Sequence, residues 1–151
     1  MAAKQTSFAT GFLVHDVSRI RKKVVDQAVK PLGITRSQFW VLVNTARYGN
    51  EGIAQTELAR LMSVGKVSLG GVIDRMEAND LLVRLPDPVD RRAKKVFMTP
   101  KGEDLLRTLQ EVAEGINKDI MKGITKEQNK MLDGILRTMK HNLLQMDGAK
   151  E

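Results

Sequence analysis

The sequence predicts an α+β fold that is mostly α-helical, with six helices and one β-hairpin. Three observations support this prediction. Apolar residues recur at helical spacing through long stretches at both ends of the chain. Capping residues divide much of the remainder into shorter helices, and one pair of short β-like runs flanks a turn near residue 90. At 151 residues the chain is long enough to bury a core of its own.

The N-terminal part of the chain contains two predicted helices. The first covers residues 7–30 and ends at Pro31-Leu32-Gly33, where proline and glycine interrupt the helical pattern. Thr35 and Gln38 have the spacing of a capping box, in which each side chain accepts a hydrogen bond from the backbone N–H of the other residue. This box predicts a second helix that runs to about residue 47.

Two helices joined by a short turn are predicted between residues 55 and 79. The first covers residues 55–62, with Thr56 as a capping hydroxyl at its start. Ser63-Val64-Gly65 forms a glycine-containing turn of the kind that joins the helices of a helix-turn-helix. The second helix, residues 66–79, has a seam of apolar residues at helical spacing: Leu69, Val72, Ile73 and Met76.

The face opposite this seam is small and weakly charged, which suits a helix that lies in the major groove of DNA. Arg75 can donate to guanine or phosphate, Ser68 can pair with several base edges, and Val67 can contact a thymine methyl. Gly70 and Gly71 cost the helix about 2 kcal/mol relative to alanine, so we expect this backbone to lie close to another group. The alternative is an ordinary amphipathic core helix that tolerates the glycine pair. The residues predicted to contact DNA here are Lys66, Val67, Ser68, Gly71 and Arg75.

A basic β-hairpin follows, with predicted strands at residues 81–85 and 95–98. Its five basic side chains outnumber its two acidic ones, Asp87 and Asp90. Alone, such a hairpin is most often a solvated surface. After two helices and a turn it completes the order of a winged helix-turn-helix, in which wing arginines enter the minor groove. We assign DNA contacts to Arg91 and Arg92, and expect Asp90 to orient an arginine by a charge-assisted pair.

The C-terminal third is predicted to form two long helices. The first begins at Thr99-Pro100, an N-cap followed by proline at the first helical position, and runs to about residue 122. The second begins at a capping box formed by Thr125 and Gln128. The terminal helices carry apolar stripes too long for one chain to cover, which predicts a homodimer. Two-fold dimers also match palindromic operators.

Composition restricts the class of protein. A net charge of +7 and a pI near 9.8 favour a polyanionic partner, with nucleic acid ahead of an anionic membrane surface. No apolar run reaches the length of a membrane span, and the N-terminus lacks a signal-peptide core, so we expect a cytoplasmic, nucleoid-associated protein. The chain has no cysteine, and His15 and His141 do not have metal-ligand spacing. No enzymatic motif appears, so we expect no enzyme, no cofactor and no metal.

The DNA-reading region resembles a known family. The run E-L-A-R-L-M-S-V-G-K-V-S-L-G-G-V-I-D-R-M-E-A-N-D-L-L-V-R, followed by D-P-V-D-R-R-A-K-K-V-F-M-T-P-K-G, is similar to the MarR/SlyA family of bacterial transcription regulators. The resemblance covers about residues 8–146. It implies a winged helix-turn-helix domain at residues 35–99 and a helical dimerisation region formed by residues 1–34 and 100–151. The residues that match the wing signature are Asp90, Arg92, Val96, Met98 and Thr99.

The chain departs from the family in the glycines at positions 70 and 71, where relatives often carry longer polar side chains. It also cannot sense peroxides through a cysteine, as one branch of the family does, because it has none. The resemblance implies a dimeric regulator, a repressor released from its operator by a small molecule. The alternative is an architectural protein that coats DNA through charge alone.

In the resembled family, small anionic aromatic compounds bind between the dimerisation helices and the winged helix. Trp40 either lines such a crevice or packs in the core. A basic cluster that starts at Arg19 either holds the phosphates of an aromatic acyl-coenzyme A thioester or is a solvated face; its other members are Arg21, Lys22 and Lys23. The candidate ligand residues are His15, Arg19, Phe39, Trp40, Asn44 and Met62.

Overall fold

The computed structural model describes residues 6–90 and 93–148 of the chain. Contacts within the chain define two compact units, Met1–Glu114 and Gly115–Glu151, and each is described by itself. The described residues form six α-helices and three β-strands. The elements are α1 (Thr6–Val29), α2 (Arg36–Ala46), β1 (Ile53–Ala54), α3 (Gln55–Leu61), α4 (Lys66–Ala78), β2 (Leu82–Pro86), β3 (Lys94–Met98), α5 (Pro100–Ile120) and α6 (Lys126–Asp147). This confirms the mostly α-helical α+β fold.

The strands form one antiparallel sheet in the order β1-β3-β2. The hairpin pairs Val83 with Phe97, and β1 adds a third strand through Ile53 opposite Val96. The sequence analysis assigned no element to residues 53 and 54 and missed β1, because a two-residue strand has no periodicity to detect. Gly52 makes its approach possible: its φ is +63°, and a Cβ there would lie 2.5 Å from the ring of Phe97.

The predicted helix boundaries are correct where the capping signal is local. Gly33 ends the first helical segment with φ of +75°, and Thr35 and Gln38 form the predicted capping box of α2. The predicted cap of α3 is wrong. Its N-cap is Ala54, with no side-chain hydrogen bond, because β1 leads directly into the helix. Thr56 therefore lies inside the first turn and its hydroxyl does not cap.

The apolar seam of α4 is the centre of the core in the first unit. Leu69, Ile73 and Met76 are fully buried, as the sequence predicted, and Val72 is half-buried. Burial of each such side chain contributes about 1.5–3 kcal/mol relative to exposure. The other elements of the helix-turn-helix and the sheet supply further fully buried residues: Leu42, Ile53, Leu58 and Val96.

The C-terminal end of α4 is joined to the start of α5. Asp80 adopts φ of +57°, and its carbonyl accepts a hydrogen bond from the hydroxyl of Thr99 at 2.7 Å. The same hydroxyl accepts from the backbone N–H of Gly102 at 3.0 Å, which confirms Thr99 as the cap of α5. A Cβ at Gly102 would overlap the carbonyl oxygen of Leu81. This junction therefore requires glycine at position 102.

The second unit contains the end of α5, a turn in which Gly123 has φ of +82°, and α6. Thr125 and Gln128 form the predicted capping box of α6. No residue of α6 is buried, and most of its apolar side chains are exposed, among them Met131, Leu132, Ile135 and Leu143. None of the helices in the described part of the chain is long and apolar enough to cross a membrane.

The α4–α5 junction generates a prediction about stability. Gly102→Ala should lower the free energy of unfolding by about 1–3 kcal/mol, because the added methyl group must displace the Leu81 carbonyl or the start of α5. Gly134→Ala is the control, since no heavy atom lies within 4 Å of a Cβ at that position. It should be neutral or stabilise by up to about 1 kcal/mol. Urea unfolding at one fixed protein concentration measures both, and equal stabilities would contradict the prediction.

Candidate functional site

The outer face of α4 is open to solvent. The turn before it has Ser63 at φ of +52°, and Gly65 in an extended conformation forms the N-cap. Val67 is 91% exposed, which is a high value for a branched apolar side chain. Its exposed neighbours on the same helix are Lys66, Ser68 and Arg75, while Gly71 is half-buried. The structure thus brings together on one helix all five residues that the sequence predicted for this face.

The glycine pair on α4 is not explained by packing within the described chain. A Cβ at Gly70 would lie 3.6 Å from Nε2 of Gln55, and a Cβ at Gly71 would lie 3.8 Å from a guanidinium nitrogen of Arg75. Both distances are ordinary van der Waals contacts. Alanine would therefore fit at either position and would favour the helix.

The turn of the hairpin is organised by Asp87. Its carboxylate accepts hydrogen bonds from the backbone N–H groups of Val89 at 2.7 Å and Asp90 at 3.2 Å. These bonds, with a smaller contribution from Lys95, hold the pKa of Asp87 below its usual value. Ala93 closes the turn by accepting from the N–H of Asp87 and donating to the carbonyl of Asp90. Arg91 and Arg92, predicted to contact DNA, lie outside the described residues.

Two of the five basic side chains of the hairpin are directed into the protein. Arg84 forms ion pairs with Asp74 and Glu77 at 2.7 and 2.6 Å. Lys95 donates to the carbonyl of Glu51 at 3.2 Å and lies 3.7 Å from Asp87. The charge count in the sequence analysis included Arg84 and Lys95 among the basic side chains of the hairpin. Both side chains are engaged within the protein, so the hairpin offers a partner less positive charge than the count suggested. Their partners lie on other elements or across the turn, which a charge count along the hairpin does not show.

A small hollow lies between the start of α3, the start of α4 and β3. It has a volume of about 250 Å³, and Lys66 and Lys94 line it together with Gln55 and Thr56. Within the described residues, neither lysine forms an ion pair. The sequence analysis included Lys94 only in the charge of the hairpin, and only the fold brings it near Lys66.

A larger groove lies beside α2. Its volume is about 530 Å³. Trp40 lines it and is 44% exposed, so this side chain is not a core residue. Arg36 and Arg47 also line this groove, and Arg36 pairs with Asp26 of α1 at 2.9 Å. The remaining lining residues are Ser37, Asn44, Leu61, Met62 and Val64.

Three of the six candidate ligand residues meet in this groove, namely Trp40, Asn44 and Met62. Phe39 is buried, and its ring stacks on Trp40 with centroids 6.3 Å apart. His15 and Arg19 are exposed on α1 and do not line the groove. Arg19 pairs with Asp16 and borders a shallow basic depression of α1 with Lys22, Lys23 and Lys30.

Comparison with known proteins shows which family the chain resembles. The sequence profile of the MarR family matches residues 32–93. A MarR-family transcriptional regulator from Rhodococcus sp. RHA1 is 26% identical, with a TM-score of 0.78 over 89% of this chain and 94% of that one. Apo MarR from E. coli is 25% identical, with a TM-score of 0.75 over 85% of this chain and 94% of that one. These matches support a MarR-family winged helix-turn-helix regulator.

A further solved structure shows a mutant of E. coli MarR in complex with operator DNA. It is 25% identical to this chain, with a TM-score of 0.76 over 85% of this chain and 91% of that one. The resemblance that the sequence indicated is thus confirmed, together with the winged helix-turn-helix of a MarR-family transcription regulator. Within the described part of the chain, no group of three or more carboxylate or imidazole side chains could hold a metal ion.

The wing turn generates a prediction about pH. Because the folded state lowers the pKa of Asp87, its carboxylate stabilises the turn above the ordinary carboxyl pKa of about 3.9. That contribution is lost as the pH falls through the lowered value. In NMR spectra, the amide signals of Val89 and Asp90 should titrate with a midpoint below the ordinary value. In Asp87→Asn, which keeps an accepting oxygen but has no proton to gain, this titration should disappear; a midpoint at or above the ordinary value would contradict the assignment.

Proposed function

We propose that this MarR-family chain is a dimeric transcription regulator that binds a pseudo-palindromic DNA operator. The observation that supports this most strongly is the exposed outer face of α4, which carries Val67 at 91% exposure next to a basic wing. An apolar side chain this exposed suits contact with a thymine methyl in the major groove. The similar structure of a mutant E. coli MarR in complex with operator DNA supports the proposal that this chain also binds an operator.

Each part of the winged helix-turn-helix has a proposed role. Helix α4 enters the major groove with Lys66, Val67, Ser68, Gly71 and Arg75 towards DNA. Arg91 and Arg92 of the wing enter the adjacent minor groove, where negative potential is concentrated. Asp90 is proposed to orient one of these arginines. Lys94 and Lys66, which share a hollow, are placed to neutralise backbone phosphate.

The proposed dimer is supported by unpartnered apolar side chains in each unit. On α1 the side chains of Phe12, Leu13 and Val17 are more than half exposed. On α6 the same holds for Met131 and Leu143. Large exposed apolar side chains repeated along one helix are typical of an interaction surface. We therefore retain the division into a DNA-binding domain at residues 35–99 and a dimerisation region at residues 1–34 and 100–151.

The groove beside α2 is the proposed effector site. Its volume of about 530 Å³ falls within the range of small-molecule sites. Trp40 offers a ring for stacking, and Arg47 offers a guanidinium group that makes no ion pair within the described residues. An aromatic acid, alone or as its coenzyme A thioester, matches these two groups. We propose that such a ligand releases the regulator from its operator, so that it acts as a repressor in the cytoplasm.

Selection from a random DNA library tests sequence-specific binding. It should yield a pseudo-palindrome whose half-sites are about one helical turn apart and which binds two chains. At one fixed salt concentration, the affinity for this site should exceed that for scrambled DNA by about a thousandfold or more. Equal affinity for both DNAs would favour the alternative, an architectural protein that coats DNA through charge.

A variant of α4 tests whether the backbone at Gly71 contacts operator DNA closely. Gly71→Ala should raise the stability of the protein by up to about 1 kcal/mol, because alanine favours the helix and meets no close neighbour. It should nevertheless weaken operator binding, since the methyl group fills the space left for DNA. Gly134→Ala in α6 should give a similar gain in stability with unchanged operator affinity. An unaltered affinity for Gly71→Ala would exclude close contact at this position.

Benzoate and benzoyl-coenzyme A test the effector site. Trp40 is the single tryptophan, so its fluorescence reports binding directly. A coupling of about 2 kcal/mol would weaken operator binding roughly thirty-fold at saturation, and operator DNA would weaken ligand binding by the same factor. Arg47→Ala should reduce ligand affinity and leave operator binding without ligand unchanged.

Arg19→Ala is the matched control, because Arg19 is a basic residue outside the groove. An unchanged ligand affinity in this variant supports the groove alone. If Arg19→Ala reduced ligand affinity and Arg47→Ala did not, the ligand site would be assigned to the basic cluster of α1. If neither compound alters fluorescence or operator affinity, this ligand class is excluded.

A further inference from the structure

Arg84 connects three elements of the winged helix-turn-helix. From β2 its Nε donates to the side-chain oxygen of Gln55 at 3.1 Å, at the start of α3. Its Nη1 donates to Asp74 at 2.7 Å and to Glu77 at 2.6 Å, both on α4. Its Nη2 donates to the carbonyl oxygen of Gly70 at 3.1 Å, also on α4. The side chain is only 14% exposed.

The backbone reinforces this connection. The N–H of Arg84 donates to Oε1 of Glu77 at 2.7 Å, so the two carboxylate oxygens of Glu77 hold both the backbone and the guanidinium group of Arg84. Such a set of bonds needs a planar group with several fixed donors, which lysine does not provide. Charge-assisted bonds of this kind are about twice as strong as neutral ones.

We propose that Arg84 is the positioning residue that fixes the wing relative to α4. It does not contact DNA itself. The inference rests on the proposed DNA-binding function, because wing and α4 must reach adjacent grooves at the same time. The Arg84 guanidinium already has carboxylate partners at both Asp74 and Glu77, so little of its charge is available to a phosphate. Its effect on DNA binding is therefore transmitted through the geometry of the wing.

Glu77→Gln separates the two possible roles of Arg84 by the sign of the effect. Electrostatics alone predicts tighter DNA binding, since the variant removes a negative charge and frees part of Arg84. Positioning predicts weaker binding, because the glutamine can still accept from the Arg84 backbone but loses the ion pair with its side chain. We expect operator affinity to fall about threefold to tenfold. Equal or tighter binding would overturn the proposal.

The salt dependence of binding gives a second test, with Arg84→Met and Arg84→Lys. Both should weaken operator binding about tenfold with an unchanged slope of log affinity against log salt, because no phosphate contact is lost. Lys94→Ala is the comparator, and its slope should fall by about one unit. If the salt slope fell by one unit in Arg84→Met, or if Arg84→Lys bound the operator with full affinity, Arg84 would act as a positive charge and not as a positioning residue.

Hydrogen exchange without DNA keeps this inference separate from the proposed function. In Glu77→Gln and Arg84→Lys, the amides of β2 and β3 should exchange about tenfold faster while those of α2 remain protected, because only the connection between wing and α4 is loosened. Unchanged exchange in the wing would overturn the positioning role. If the native chain showed no preference for any DNA sequence, the proposed function would fail. The hydrogen-exchange rates of the wing amides would still decide whether Arg84 fixes the wing relative to α4.

Discussion

Helix α4 is held by complete burial of one side, where Leu69, Ile73 and Met76 pack into the centre of the first unit. Because the helix cannot rotate without exposing this seam, its opposite side must face solvent. The exposure of Val67 follows from that constraint. The flanking structures then fix the helix ends: Arg84 joins its middle and C-terminal turns to the wing, and Thr99 and Gly102 join the segment after it to α5.

The two anchors of α4 differ in chemistry, and the difference has a physical basis. The junction with α5 combines hydrogen bonds of the Thr99 hydroxyl with close backbone packing, in which Gly102 leaves no space for a side chain. The junction with the wing is made by hydrogen bonds and ion pairs of Arg84. Tight packing resists small displacements, whereas polar contacts at a partly exposed site are weaker in water and depend on each partner.

The sequence predicted those features whose cause is local. The capping boxes at Thr35 and Thr125 and the seam of α4 depend on residues three or four positions apart, and all are present in the structure. The partners of Arg84 could not be predicted, since Gln55 lies 29 positions away and the periodicity of β2 carries no information about it. The groove at Trp40 was predicted only in part. Arg36 and Arg47 share the Trp40 face of α2 at helical spacing, a local signal that the sequence analysis did not use, whereas Leu61 and Val64 join the groove only through the fold.

The exposed apolar stripe of α6 has a genetic consequence. If two copies pair through this stripe, the surface that selects a partner is separate in sequence from the face of α4 that selects DNA. A chain with an intact α6 and a damaged α4 would still fold and still take a normal partner. In the mixed dimer only one subunit could bind its half-site, so the affinity for a palindromic operator would be low. Alleles altered only in α4 would therefore be dominant over the normal allele, while alleles that prevent pairing would be recessive.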